Sequence, residues 1–174
     1  SDLLAERYDR DLDQRLDGLV DLIEAAQAAD PENAWLECYT TLMNPENRWG
    51  LKDLGDTIQL QHNFYNAGTL LEAGVHHYRA TGKLRLLAVA CRFAAYIARE
   101  IGWAPKKNMV PEHPMFEEAA YELYALLRNE PDLPGRMGVN IDPAALEAVA
   151  RFSIEGRGHY EGRVPLGVYA PDHV

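Results

Sequence analysis

The chain has 174 residues, 47% of them hydrophobic, which is enough for one domain with a real core. Its 17 basic residues stand against 27 acidic ones, and the net charge of −10 argues against nucleic acid or an anionic membrane surface as partner. No run approaches the ~20 apolar residues of a membrane-spanning helix, and Ser1 to Arg10, charged from the second residue, is unlike a signal peptide. In chain order, Leu12, Leu16, Leu19, Val20, Ile23 and Ala26 recur at three-and-four spacing and predict a helix from about Asp9 to Ala28, stopped at Asp30-Pro31. The aromatic and turn-rich stretch that follows, through Trp49-Gly50, reads as a loop with a short helix. A second helix spans about Leu60 to Ala80 and ends at Gly82, which can take the left-handed conformation of a C-cap. The third runs from Leu84 to Ile101 and closes on Gly102. A fourth begins at His113-Pro114 and runs to Arg128, and a fifth covers about Pro143 to Glu155 with Asp142 as its N-cap. No β-alternation of useful length occurs. The Gly- and Pro-rich tail from Gly156 reads as a connection that continues beyond Val174.

Two cysteines, Cys38 and Cys91, lack the spacing of a disulfide framework or a zinc site. Cys91, in the apolar run Leu86 to Ala98, reads as a core thiol. Free thiols fit a reducing compartment, and a cytoplasmic location is the expectation they support.

The second helix carries the chemistry. At 100° per residue, Phe64, Ala67, Leu71, Gly74, Val75 and Tyr78 share one face. His62, Tyr65, Asn66, Thr69, Glu72 and His76 gather on the other. A solvated face is one reading of that polar side. The other is a cavity wall, because His, Tyr, Asn and Thr make directed hydrogen bonds without heavy charge and so suit a neutral hydroxyl-rich ligand. The third helix is apolar over most of its circumference, with Arg85, Arg92 and Arg99 on one stripe. In the fourth, His113 sits at the mouth and Glu117 follows four residues on, over the same face. A neutral imidazole has one donor and one acceptor and can meet a hydroxyl in either direction. His77 and His159 have no comparable partner and read as surface residues.

The order of motifs resembles a known family. His62-Asn63-Phe64-Tyr65-Asn66-Ala67-Gly68, then Leu71-Glu72-Ala73, then His77-Tyr78-Arg79-Ala80-Thr81-Gly82-Lys83 is similar to glycoside hydrolase family 127, the β-L-arabinofuranosidase-like enzymes. That family has a His-Glu-Leu-Tyr-Cys-Ala-Gly-His run and then a Tyr-Tyr-x-Ala-Thr-Gly-Lys turn. Trp35-Leu36 with Tyr39-Thr40 and Pro45-Glu46-x-Arg48-Trp49 resembles its aromatic loop. Glu112-His113 with Glu117 resembles its Gly-His-x-Glu-x-Glu segment. Arg157-Gly158 and Tyr169 to His173 resemble later stretches. This sequence departs from the family at Asn66, at Thr69 and at Ala34-Trp35-Leu36-Glu37-Cys38, positions beside the sugar pocket that the resemblance implies.

The resemblance implies an all-α fold: a partial (α/α)6 toroid of alternating inner and outer helices, with the second and fourth helices inner and the third and fifth outer. Residues 1–174 would form the amino-terminal portion of one catalytic domain. It implies a retaining glycosidase, with His62 and His113 as sugar-contacting residues, Tyr65 and Glu117 as hydrogen-bonding groups and Trp35 as either a stacking face or a core residue. The family's general acid/base and its zinc-held cysteine nucleophile lie downstream of the last matched motif, so the resemblance places no catalytic residue and no metal ligand in this chain. Zinc is implied for the complete protein only. Carbohydrate is the expected partner, and an isolated part of a toroid, with the apolar flank of its last helices uncovered, is expected either to oligomerise or to behave poorly in solution. Two other readings stay open on the residues alone. Helical-barrel sugar epimerases and unsaturated uronyl hydrolases would make His62, His113 and Glu117 catalytic. A helical-repeat interaction protein would need a regular repeat of about 34 residues, which the helix pairs do not share.

Overall fold

The computed structural model describes residues 1–30, 32, 34, 36, 63–108 and 113–156. Regular structure among them is helical: α1 (Asp2–Glu6), α2 (Arg10–Ala28), α3 (Asn63–Thr81), α4 (Arg85–Glu100), α5 (Met115–Asn129), α6 (Leu133–Met137) and α7 (Pro143–Gly156). The five long helices fall where periodicity and capping place them. Asp9 caps α2 by accepting from the Asp11 and Leu12 amides, and Asp142 accepts from the Ala144 amide at the start of α7. Gly82 has φ +72 and turns the chain from α3 into α4, a conformation an L-residue resists. The five-residue helices α1 and α6 are too short to announce themselves by periodicity.

Two layers result. Helices α3 and α5 lie side by side in one, with α4 and α7 side by side behind them, and α3 pairs with α4 as α5 pairs with α7. This is the inner–outer alternation of an α/α toroid. The core sits between the layers, built from Leu71, Leu87, Phe93, Ile97, Phe116, Leu123, Leu146 and Phe152. Cys91 is buried in it, as its sequence context suggests, and burial pushes its thiol up to about 12.

Two glycines set how closely helices approach, Gly68 within the inner layer and Gly74 between the layers. A Cβ on Gly68 would stand 2.6 Å from the Met115 carbonyl oxygen, so α3 touches the backbone at the start of α5. A Cβ on Gly74 would stand 2.8 Å from the Ala90 Cβ, where α3 crosses α4.

Helix α2 docks on α4 along the side of buried Val20 and half-buried Leu12, Leu16 and Ile23, where polar groups add contacts that the apolar repeat does not show. Gln27 is buried; its amide nitrogen donates to the Val89 carbonyl at 3.0 Å, and its oxygen accepts from Arg92 Nε at 2.8 Å. Arg85 pairs with Asp21 and Glu24, and Lys83 Nζ reaches Asp13 at 2.6 Å and Asp17 at 2.8 Å. Much of the arginine stripe of α4 is therefore the seat of α2. Leu19 and Leu22, by contrast, are 52% and 70% exposed.

His77 is a correction. Read from sequence as a surface residue, it is 2% exposed beneath α1, with Ser1 Oγ 3.3 Å from its Nδ1. Its cover is the short helix that the sequence pattern does not reveal.

Candidate functional site

The Gly68 contact joins the amino-terminal ends of the inner helices, and the side chains around it follow from that approach. Phe64 of α3 and Phe116 of α5 meet edge to face, ring centroids 5.7 Å apart, and seal the buried side. One residue further round α3, Tyr65 turns outward, 41% exposed, and its ring meets the His113 ring edge to face at 5.4 Å. His113 is exposed at the mouth of α5. Glu117, in the first turn of α5, is 6% exposed, so a carboxylate stands buried just behind the imidazole in sequence.

Three of the five residues singled out in sequence are thus described, and two of them, Tyr65 and His113, are in direct contact. His62 and Trp35 lie outside the described residues, as do Arg157-Gly158, His159 and Tyr169 to His173.

The polar face of α3 continues downward from this mouth. Asn66 and Thr69 are exposed, and the Thr69 hydroxyl donates back to the Tyr65 carbonyl at 3.1 Å. Below them Glu72, His76, Met115, Glu118, Ala119 and Glu122 line a hollow of about 310 Å³ between α3 and α5. Glu122 lies 3.6 Å from His76 Nε2 and 2.8 Å from Arg79, so its charge is locally balanced. The face read from sequence as either solvated surface or cavity wall thus borders a groove between the two inner helices. Asn63, which the wheel assigned to neither face, is 3% exposed at the start of α3.

Among the described residues, no group of three or more His, Cys, Asp or Glu side chains could hold an ion. Cys91 is an unfit thiolate ligand or nucleophile, since its apolar setting disfavours the anion. Cys38 lies outside the described residues. No helix among the described residues is long and apolar enough to cross a membrane.

The model of the β-L-arabinofuranosidase GH127 catalytic domain matches residues 1–132. The chain belongs to the GH127 family. Among solved structures it is similar to a GH127 β-L-arabinofuranosidase from Geobacillus stearothermophilus T6, with TM-score 0.69 and 28% identity over 91% of this chain and 22% of that one. It is also similar to the GH127 β-arabinofuranosidase BT3674, with TM-score 0.65 and 25% identity over 90% of this chain and 22% of that one. A search of curated proteins finds no match. The GH127 chain described here therefore spans about a fifth of the length of the solved relatives it resembles, 22% in each case. Its paired helices are GH127 toroid pairs.

Proposed function

We propose that this chain forms the amino-terminal part of the toroid of a GH127 glycoside hydrolase acting on arabinofuranoside-like glycosides. In this reading it supplies residues that hold the sugar, not those that cleave the glycosidic bond. The observation that carries the reading is the His113–Tyr65 contact at the joined ends of two inner helices. Imidazole and phenol hydroxyl offer donors and acceptors at an open mouth, which is what a furanose ring with several hydroxyls requires. Glu117 adds an acceptor in the first turn of the same helix, and His62 and Trp35 complete the set proposed from sequence.

Hydrolysis with retention, through a covalent glycosyl-enzyme, belongs in this proposal to the complete protein. The zinc that the family resemblance implies belongs in this proposal to the complete protein too. GH127 membership favours this reading over an epimerase or uronyl hydrolase, and over a helical-repeat interaction protein.

The test is a binding titration with methyl β-L-arabinofuranoside. Losing one neutral hydrogen-bonding group costs about tenfold in affinity. His113→Ala and Tyr65→Phe are expected to weaken binding by about that factor and to move Tm by less than about 2 °C, as exposed side chains do. Unchanged affinity in both variants would contradict the proposal.

A further inference from the structure

Tryptophan carries a large apolar surface and is on average well buried, yet Trp103 is 50% exposed. Ala104 and Pro105 beside it are exposed as well. The indole is nonetheless fixed in place. It meets the buried Phe152 ring of α7 edge to face, centroids 4.9 Å apart and planes at 90°, which takes up one side of it and leaves the rest open. Its backbone is tied too. The Gly102 amide donates to the Lys107 carbonyl at 3.0 Å, the Lys107 amide donates to the Glu100 carbonyl at 2.8 Å, and Lys106 Nζ donates to the Ala98 carbonyl at 2.7 Å. An open aromatic surface held before anything arrives suits a stacking platform, because little ordering entropy is left to oppose binding.

Topology fixes the end of the molecule at which this surface stands. Gly82 turns α4 back along α3, so the carboxyl end of α4 lies with the amino end of α3, where Tyr65 meets His113. Trp103 follows that carboxyl end, in the connection that leads to His113 and α5. Its contact with α7 sets it on the outer-layer side, about one helix spacing of 8–10 Å behind the inner helices. A single furanose ring held at Tyr65 and His113 does not extend that far, whereas a chain of two or three sugars does. We infer that Trp103 is a platform for a further sugar unit, so that the ligand at this end of the toroid is an oligosaccharide rather than a lone arabinofuranoside. This rests on the reading of the Tyr65–His113 mouth as a sugar site. A sugar suits the platform because its C–H face can lie on the indole while its hydroxyls stay in water, and the indole N–H can donate to one of them.

The experiment compares the affinities of the chain for methyl β-L-arabinofuranoside and for an arabinofuranosyl trisaccharide. The wild type is expected to bind the trisaccharide about tenfold more tightly, the gain of one stacked ring. Trp103→Ala should erase that gain and leave the affinity for the monosaccharide unchanged, while Trp103→Phe should keep most of it. If the alanine variant does not fold, fluorescence keeps the test decisive: the change that the trisaccharide causes beyond that of the monosaccharide should vanish in Trp103→Phe. A purely structural Trp103 would make Trp103→Ala weaken both ligands alike or neither, and either result overturns the inference. Smaller particles in light scattering of Trp103→Ala, with trisaccharide affinity unchanged, would make the patch a contact between copies and overturn it as well. Equal wild-type affinities for the two ligands overturn the platform and leave the sugar site standing. Absence of saturable binding of either ligand overturns both.

Discussion

Single residues of this chain separate into those whose role their neighbours in sequence reveal and those whose role depends on distant cover. Gly82, Asp142 and Cys91 belong to the first kind, because a C-cap, an N-cap and a thiol in an apolar run are local matters. His77 belongs to the second. Its imidazole is buried by α1, and burial lowers its pKa below the ordinary 6.5, with Lys83 acting in the same direction and Asp17 and Asp13 opposing. The sign of the consequence follows. A histidine whose folded pKa is depressed contributes its full stability above about pH 6.5 and loses it as pH falls toward the folded value, where only the unfolded chain is protonated. Asp13 titrates in a separate window. The hydrogen bond from Lys83 holds its carboxyl below 3.8, so its contribution is lost only in more acidic solution. Tm is therefore expected to fall between pH 7 and pH 5, and His77→Gln should flatten that slope. An unchanged slope in the variant would show that other groups carry it. Asn63 is another residue that sequence reasoning passed over, since nothing in the string says whether a polar residue at a helix start is caught inside.

Among the elements, the long helices and their inner–outer order were legible, and the contacts that hold them together were not. Period and caps locate α2, α3, α4, α5 and α7 to within a few residues at each end. The apolar repeat of α2 marks its docked side through Leu12, Leu16, Val20 and Ile23, but not the stitching of that side by Gln27, Asp13 and Asp21 to groups on and before α4. Polar docking of this kind leaves no hydrophobic signature. Close helix contacts are equally silent, since a glycine inside a helix reads as a defect until the neighbouring backbone is seen. Gly68→Ala would drive a Cβ into the Met115 carbonyl, and we expect a loss of about 3 kcal/mol in urea unfolding, the cost of overpacking against an unyielding backbone. Gly18 of α2 supplies the contrast. A Cβ there meets nothing within 4 Å, so Gly18→Ala should stabilise by roughly 1 kcal/mol through helix propensity alone. Equal effects at the two sites would mean that the α3–α5 approach is looser than the coordinates give.

At the scale of the whole molecule, order and spacing of motifs were more informative than any one of them, and they placed the chain in GH127 before the helix packing was known. The inner–outer alternation follows from the same reading. The outward side of α2 stayed out of reach, and His62 and Trp35, proposed from sequence as sugar contacts, lie outside the described residues. Exposed Leu19 and Leu22 motivate the expectation that the isolated chain self-associates. Light scattering should show particles larger than the 19.6 kDa monomer, and Leu19→Lys with Leu22→Lys should shift them toward it. A monodisperse wild-type monomer with a sharp thermal transition would oppose that expectation. In the proposed function a sugar meets His113 and Tyr65 where two inner helices join. The most direct measurement is an NMR titration of the chain with methyl β-L-arabinofuranoside, following the ring resonances of His113, Tyr65 and His77. The predicted result is a saturable shift at His113 and Tyr65 along one binding curve, with buried His77 unmoved. Saturable shifts confined to other residues, or none at all, would contradict it.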